Sequence, residues 1–298
     1  MITRSARLAG FALLLAVPAQ VCGQDALHTG RAAAPDAVIR IVAQAGSIRV
    51  GTWERDSVLV TGRVDSAAGR LVLVGSGAAL KLGIEPPPGR SAAGEADLDI
   101  RIPVLARLRI ESGRADVDVT AGGGDVEVSG GSGRVRLDGR ARSVVVETLD
   151  GNVELALESP RGQVRTASGT IVVRGLVRDL EASTVSGPLL VGMEGAIARA
   201  RLETVSSEIA FKGDLDPEGH LEAETHGGDV ELRLPIRLGA AFHLVSYGGG
   251  LVNELVPPSA VQRGPGKGEW TFHTGDGRAT VNVITFKGRV TLKVRGDR

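Results

Sequence analysis

From Val144 to Leu232 the chain repeats one short phrase of apolar and polar positions. Each copy alternates up to a Thr, turns three residues later, and then resumes alternating. The Thr positions are Thr148, Thr166, Thr184, Thr204 and Thr225, with Ser246 continuing the series. The turn positions Gly151, Gly169, Gly187, Ser207, Gly228 and Gly249 follow one another at 18, 18, 20, 21 and 21 residues. Two and four places after each turn the residues are apolar: Val153/Leu155, Ile171/Val173, Leu189/Val191, Ile209/Phe211 and Val230/Leu232. Strict alternation on both sides of a Gly-containing turn predicts two short strands, each with one buried face.

A unit of about 20 residues cannot bury its own apolar face and must stack on copies of itself. A propeller blade needs roughly twice that length, and the Leu and Asn signature of a leucine-rich repeat is absent. The predicted fold is therefore all-β: a single-stranded parallel β-solenoid with rungs of about 18–21 residues, spaced about 4.8 Å apart. Val153, Ile171, Leu189, Ile209 and Val230 are expected to form one inward column. Gly at the corners supplies positive φ, and the Thr column forms a hydroxyl ladder.

The rest of the chain is less regular. Val38–Ile41 and Gly46–Val50 have the shape of the repeat, and Trp53 to Val60, Arg70 to Val74 and Asp97 to Pro103 read as further strands. The Pro- and Gly-rich stretches Pro86 to Ala96 and Pro257 to Gly268 are expected to project as loops. The chain restarts at Trp270 and ends in strand-like sequence through Val290. No helix is expected after the first residues.

Met1 to Gly23 has the form of a bacterial secretion signal: Arg4 and Arg7, a short apolar run from Leu8 to Val17, then small residues. The expected organisation is a signal peptide over 1–23, a flexible leader over 24–36 and a repeat domain over 37–298. The protein is thus expected to be exported, with no transmembrane segment in the mature chain. Cys22 is the only cysteine, so the mature chain holds no disulfide. The residues ahead of Cys22 fit a lipid-anchor motif poorly, so a lipid anchor there is not expected.

Composition follows the repeat. Gly makes up 42 of 298 residues, about twice the usual share, as a corner in every rung would require. Aromatics are only 3%, leaving Val, Leu, Ile and Ala to fill a narrow interior. The 35 basic and 35 acidic residues balance, which argues against nucleic acid as a partner. Only the stretch from Arg263 to Arg298 is basic, with eight cations to three acids.

No catalytic, cofactor-binding or metal-ligating residue stands out. His226 and His273 lie near successive turns, where they could approach one another, but no His-x-x-x-His spacing occurs. Gly122-Gly123-Gly124-Asp125-Val126-Glu127 resembles one copy of a calcium-binding nonapeptide without its repeat. Arg295-Gly296-Asp297 reads as a chance tripeptide. A carbohydrate-cleaving enzyme on a parallel β-helix would need clustered carboxylates, whereas here they are scattered singly along the strands.

Gly46-Ser47-Ile48-Arg49-Val50 followed by Trp53, the strand Ala96 to Pro103, the Thr-x-Ser-Gly turns and the closing Thr285-Phe286-Lys287-Gly288 resemble the bacterial β-strand-repeat adhesin-domain family, a family of unknown function. The likeness covers about Ala37 to Val294. It implies an exported parallel β-solenoid with adhesion as the inferred role, and it brings no catalytic motif. The expected reading is a non-enzymatic adhesin or surface-binding module of the bacterial envelope, with envelope or surface glycans or proteins as partners. An envelope scaffold is the alternative, and a polysaccharide-acting enzyme a more distant one.

Overall fold

Val153 pairs with Ile171, Ile171 with Leu189, Leu189 with Ile209, and Ile209 with Val230, every pair in parallel register. All five side chains are buried. The column expected from the repeat is therefore present, and it runs on in both directions. Val135, Val117 and Ile48 extend it on one side, Val290 and Leu251 on the other. The structure, a computed structural model, describes residues 25–86 and 94–296. It is all-β, with one three-residue 3-10 turn at Pro258–Ala260 among the described residues. Its strands form one large mixed sheet in which parallel pairing dominates the middle and antiparallel pairing appears towards both ends.

The long strands Val153–Ser168, Ile171–Ser186, Leu189–Thr204 and Ile209–Thr225 make up the regular centre. Their interior is packed by a staggered pattern. Gly162, Leu180, Ala200 and Leu221 lie in one column, and Val164, Ala182, Leu202 and Ala223 in the column two residues on. Each rung thus offers one larger and one smaller side chain, and the two exchange places from rung to rung. With rungs fixed about 4.8 Å apart, a large side chain must spread over its neighbours. The small residues above and below give it that space, which is how close packing is reached with few aromatics.

The ends depart from chain order. The final strands Ala279–Thr285 and Val290–Val294 do not stack last. They lie between the rung of Ile209–Leu234 and the rung of Ala240–Asn253, pairing in parallel with both. The other end mirrors this. Residues 38–43 lie between 79–83 and 107–112, and Gly46–Trp53 lies between Ala96–Pro103 and Asp116–Gly122. The segments between these rungs fold into antiparallel ribbons. Ser57–Val64 pairs antiparallel with residues 25–32 and with Ala96–Pro103, and Glu269–His273 pairs antiparallel with Ala240–Ser246.

Several expectations need correction. Asp25 to Ala32 is paired strand, not a flexible leader; its Ala- and Gly-rich composition hid the alternation that Ser57–Val64 recognises. The strand read over Trp53 to Val60 is two strands, because the chain turns between Trp53 and Ser57, where the Trp53 indole N–H bonds the Ser57 carbonyl at 2.8 Å. Pro257 to Gly268 carries the 3-10 turn and the short strand Gln262–Arg263. Rungs of 18–21 residues describe the centre but not the excursions between residues 54 and 106 or between 236 and 278. Most of the first loop, the secretion signal and Cys22 lie outside the described residues.

Exchanging Ala200 and Leu202 by the double substitution Ala200→Leu/Leu202→Ala conserves composition and volume but puts three large residues in one column. The double variant should unfold about 1–3 kcal/mol more easily than the parent, the cost of an overpacked core. Thermal unfolding gives the answer, and a neutral double variant would show that the staggered columns do not matter.

Candidate functional site

The Thr column is the start of the candidate site. Thr148, Thr166, Thr184, Thr204, Thr225, Thr285 and Ser246 are in register and buried. Thr285, not Ser246, follows Thr225, because the last rung is inserted there. A buried hydroxyl needs partners, and the corner provides them. The Thr285 hydroxyl donates to the Gly228 carbonyl at 3.0 Å and accepts the Gly288 N–H at 3.0 Å. Thr225 does the same with Ser207 and Gly228, and Ser246 with Gly288 and Gly249. Thr148 donates to Thr166, which donates to the Ser168 carbonyl. Only the Thr184 hydroxyl in this column is buried with no partner.

The corner Gly residues serve this arrangement differently from expectation. Gly169 does adopt a positive φ, of 127°. Gly228 does not; it is Gly because a Cβ there would collide with the carbonyl of Ser207 on the adjacent rung. Close backbone approach is the more general requirement at these turns.

With each Thr turned inward, the next residue must point out. That places Leu149, Ala167, Val185, Val205, His226, Phe286 and Tyr247 in one exposed stripe. Leu149 is 69% exposed, Val185 54%, Val205 50%, Phe286 49% and Tyr247 53%. Seven levels span about 29 Å. The His226 and Phe286 rings stack with centroids 4.9 Å apart and planes 6° apart, and Tyr247 leans on Phe286 at 5.4 Å. Serines 168, 186 and 206 border the stripe on the turn side, where Ser168 donates to Asp150 and Ser206 to the Val185 carbonyl. Glu147, Arg165, Glu203, Glu224 and Ile284 occupy the preceding outward column. An open recess follows the stripe between Thr166 and Phe286. The stripe stops at Leu149, since the equivalent corners of the earlier rungs are Gly113 and Gly131.

Other sequence features disperse. His226 and His273 are not brought together: His226 stacks on Phe286, while His273 pairs with Ala241 on the antiparallel ribbon. His243 lies 3.1 Å from Glu269. That hydrogen bond, followed by one from the Gly266 N–H, holds the Glu269 carboxyl below its ordinary range. Asp125 of the nonapeptide-like stretch accepts the Ser143 hydroxyl at 2.9 Å. Among the described residues no three His, Cys, Asp or Glu side chains converge as a metal site would require, and no helix is long and apolar enough to cross a membrane. The stripe itself escaped sequence reading. Its signal was present as an apolar or aromatic residue after each Thr, but alternation alone does not say that a residue at a corner is uncovered.

No protein-family model matches this chain, and no curated protein matches it. Among solved structures, a "putative cell adhesion protein" from Clostridium sporogenes ATCC 15579 covers 91% of this chain and 100% of its own length, at 8% identity and a TM-score of 0.29. A likeness that faint establishes neither a shared family nor a shared function.

The hydroxyl column generates a direct test. Thr285→Val would strand the Gly288 N–H and the Gly228 carbonyl, costing about 1–3 kcal/mol. Thr184→Val removes a hydroxyl that bonds nothing, so its stability should change by no more than about 0.5 kcal/mol or rise. Denaturant unfolding of both variants decides it; equal losses would mean that the ladder contributes nothing.

Proposed function

We propose that this chain is an exported, non-enzymatic β-solenoid that acts as an adhesin or surface-binding module of the bacterial envelope, with the corner stripe as its contact surface. The exposed stripe carries the reading. Apolar side chains exposed in an unbroken line, bordered by polar groups, mark interaction surfaces in soluble proteins. A scaffold whose purpose was only to stack would have no need to keep Val185, Val205 and Phe286 at the surface. The charged residues support the same view. Arg165 pairs with Glu181, Arg201 with Glu203 and the half-buried Glu222, and Arg140 with Glu158, all on the outer face. Such pairs favour solubility and register more than acid–base chemistry, and solvent screening leaves each of them adding little to stability.

The ring geometry favours a protein partner on the stripe. His226 and Phe286 cover one another's faces, so they present edges outward rather than the open ring faces on which a sugar stacks. Export is supported by Arg4, Arg7 and the apolar run from Leu8 to Val17.

The triple variant Val185→Ser/Val205→Ser/Phe286→Ser tests the proposal on an array of envelope glycans and surface proteins. The parent chain should be retained by a protein ligand. The triple variant should lose about tenfold or more in affinity, as expected when interface anchors are truncated, while unfolding at the same temperature. Retention equal to the parent, or no retention of the parent by any protein, would return the molecule to the scaffold reading.

A further inference from the structure

A second surface, away from the stripe, points to a different ligand. Val172, Leu190 and Ala210 are in register and partly exposed, forming a small apolar wall. The next outward column reads Arg174, Gly192, Lys212, Arg233 and Lys293. Arg233 and Lys293 are both engaged by Glu231, at 2.6 and 2.9 Å. Arg174 and Lys212 have no acidic partner among the described residues, whereas Arg165, Arg178 and Arg201 of the central strands each have one. Gly192 lies between these two cations. A Cβ added there would meet nothing within 4 Å, so the missing side chain leaves an open notch. The recess around it has a volume of about 420 Å³, within the range of ligand sites, roughly 300–1,000 Å³.

The backbone is also irregular at this point. Between the pairs Gly175–Met193 and Asp179–Arg199 the strand carrying Gly192 takes six steps against its neighbour's four. Between Gly192–Lys212 and Ala196–Asp214 it takes four against two. This rung therefore bulges locally against both neighbours, before the second neighbour takes five steps to its two between Ile197–Leu215 and Arg199–His220, and bulges often re-aim side chains beside functional sites. Met193 is buried under the bulge, and Glu194 is exposed on the rim of the recess. Arg295 closes the far end, its N–H bonded to the Leu234 carbonyl at 2.8 Å.

We propose that this recess binds an acidic polysaccharide, with the carboxylates of a uronate chain meeting Arg174 and Lys212. The backbones of these cations stand two rungs apart, about 9.6 Å, a spacing suited to acids placed along an extended polymer. A guanidinium pairs planar carboxylates in a fork. Val172 and Leu190 offer an apolar wall for the C–H face of a sugar ring, and Glu194 accepts sugar hydroxyls. Nucleic acid fits less well, because Phe211, the aromatic residue lining the recess, is buried and offers no open face on which a base could stack. The proposal goes beyond the corner stripe and does not depend on it.

The test is calorimetric titration of the purified chain with polygalacturonate and alginate oligosaccharides, alongside neutral dextran, single-stranded DNA and inorganic sulfate. Saturable binding to uronate oligosaccharides and none to dextran is expected. Arg174→Gln/Lys212→Gln should weaken it about tenfold or more, the scale of lost charge-assisted hydrogen bonds. Gly192→Leu, whose Cβ meets nothing within 4 Å and whose side chain would occupy the notch, should weaken it similarly at an unchanged unfolding temperature, whereas Val205→Ser should not affect it. No uronate binding, undiminished binding by both recess variants, or DNA and sulfate binding as tightly as the uronates would overturn the proposal.

Discussion

In-register parallel pairing is the constraint on which the rest of this molecule depends. When each rung bonds the next along its length, every residue has a near-equivalent about 4.8 Å above and below it. A position is therefore chosen as a column, not singly. Inward columns must share a small volume, which the exchange of Leu180 and Ala182 for Ala200 and Leu202 achieves. Corner columns must let two backbones approach, which is why Gly228 lies over Ser207 and Gly288 over Gly228. A buried polar column must bond along the stack, and Thr225, Thr285 and Ser246 do so through the turn amides and carbonyls.

The same constraint creates a problem at the ends, where an unpaired rung is an open template for further strands. Here the first and last rungs in sequence are not the outermost in space. Ala279–Thr285 is enclosed between Ile209–Thr225 and Ala240–Ser246, and residues 38–43 are enclosed by later segments. Fraying at residues 279–294 would therefore have to open a layer paired on both sides. Part of the outermost layers is covered by antiparallel ribbons, which break the parallel register that a further copy of the repeat would need. Terminal capping of this kind is what a stacked architecture requires for solubility.

The centre of the fold was legible because periodicity is a local property. The spacing of Thr148, Thr166, Thr184, Thr204 and Thr225 carries both the strand positions and the register, and Val153 through Val230 fall in one column as expected. The ends were not legible because insertion of a rung is a non-local choice. Thr285-Phe286-Lys287-Gly288 and Ser246-Tyr247-Gly248-Gly249 are equally good successors to Thr225 by pattern, and only tertiary pairing selects the former. The strand at residues 25–32 is hidden in the sequence for a related reason: its own alternation is weak, and its pairing with Ser57–Val64 is non-local. For the candidate surface, the stripe was spelled out after each Thr, but its exposure depends on the corner, and the notch at Gly192 depends on a bulge that no spacing announces.

Whether the last segment in sequence is truly an internal layer bears on everything built on column logic, including the ring stack of His226, Phe286 and Tyr247. Site-resolved amide hydrogen exchange measures it directly. If residues 279–294 form an enclosed rung, the amides of Val281, Val283 and Val290 will exchange as slowly as those of Val164 and Ile171 in the centre. Exchange at the rate of a frayed terminus, with Ala240–Ser246 protected in its place, would contradict the inserted rung and restore simple chain order.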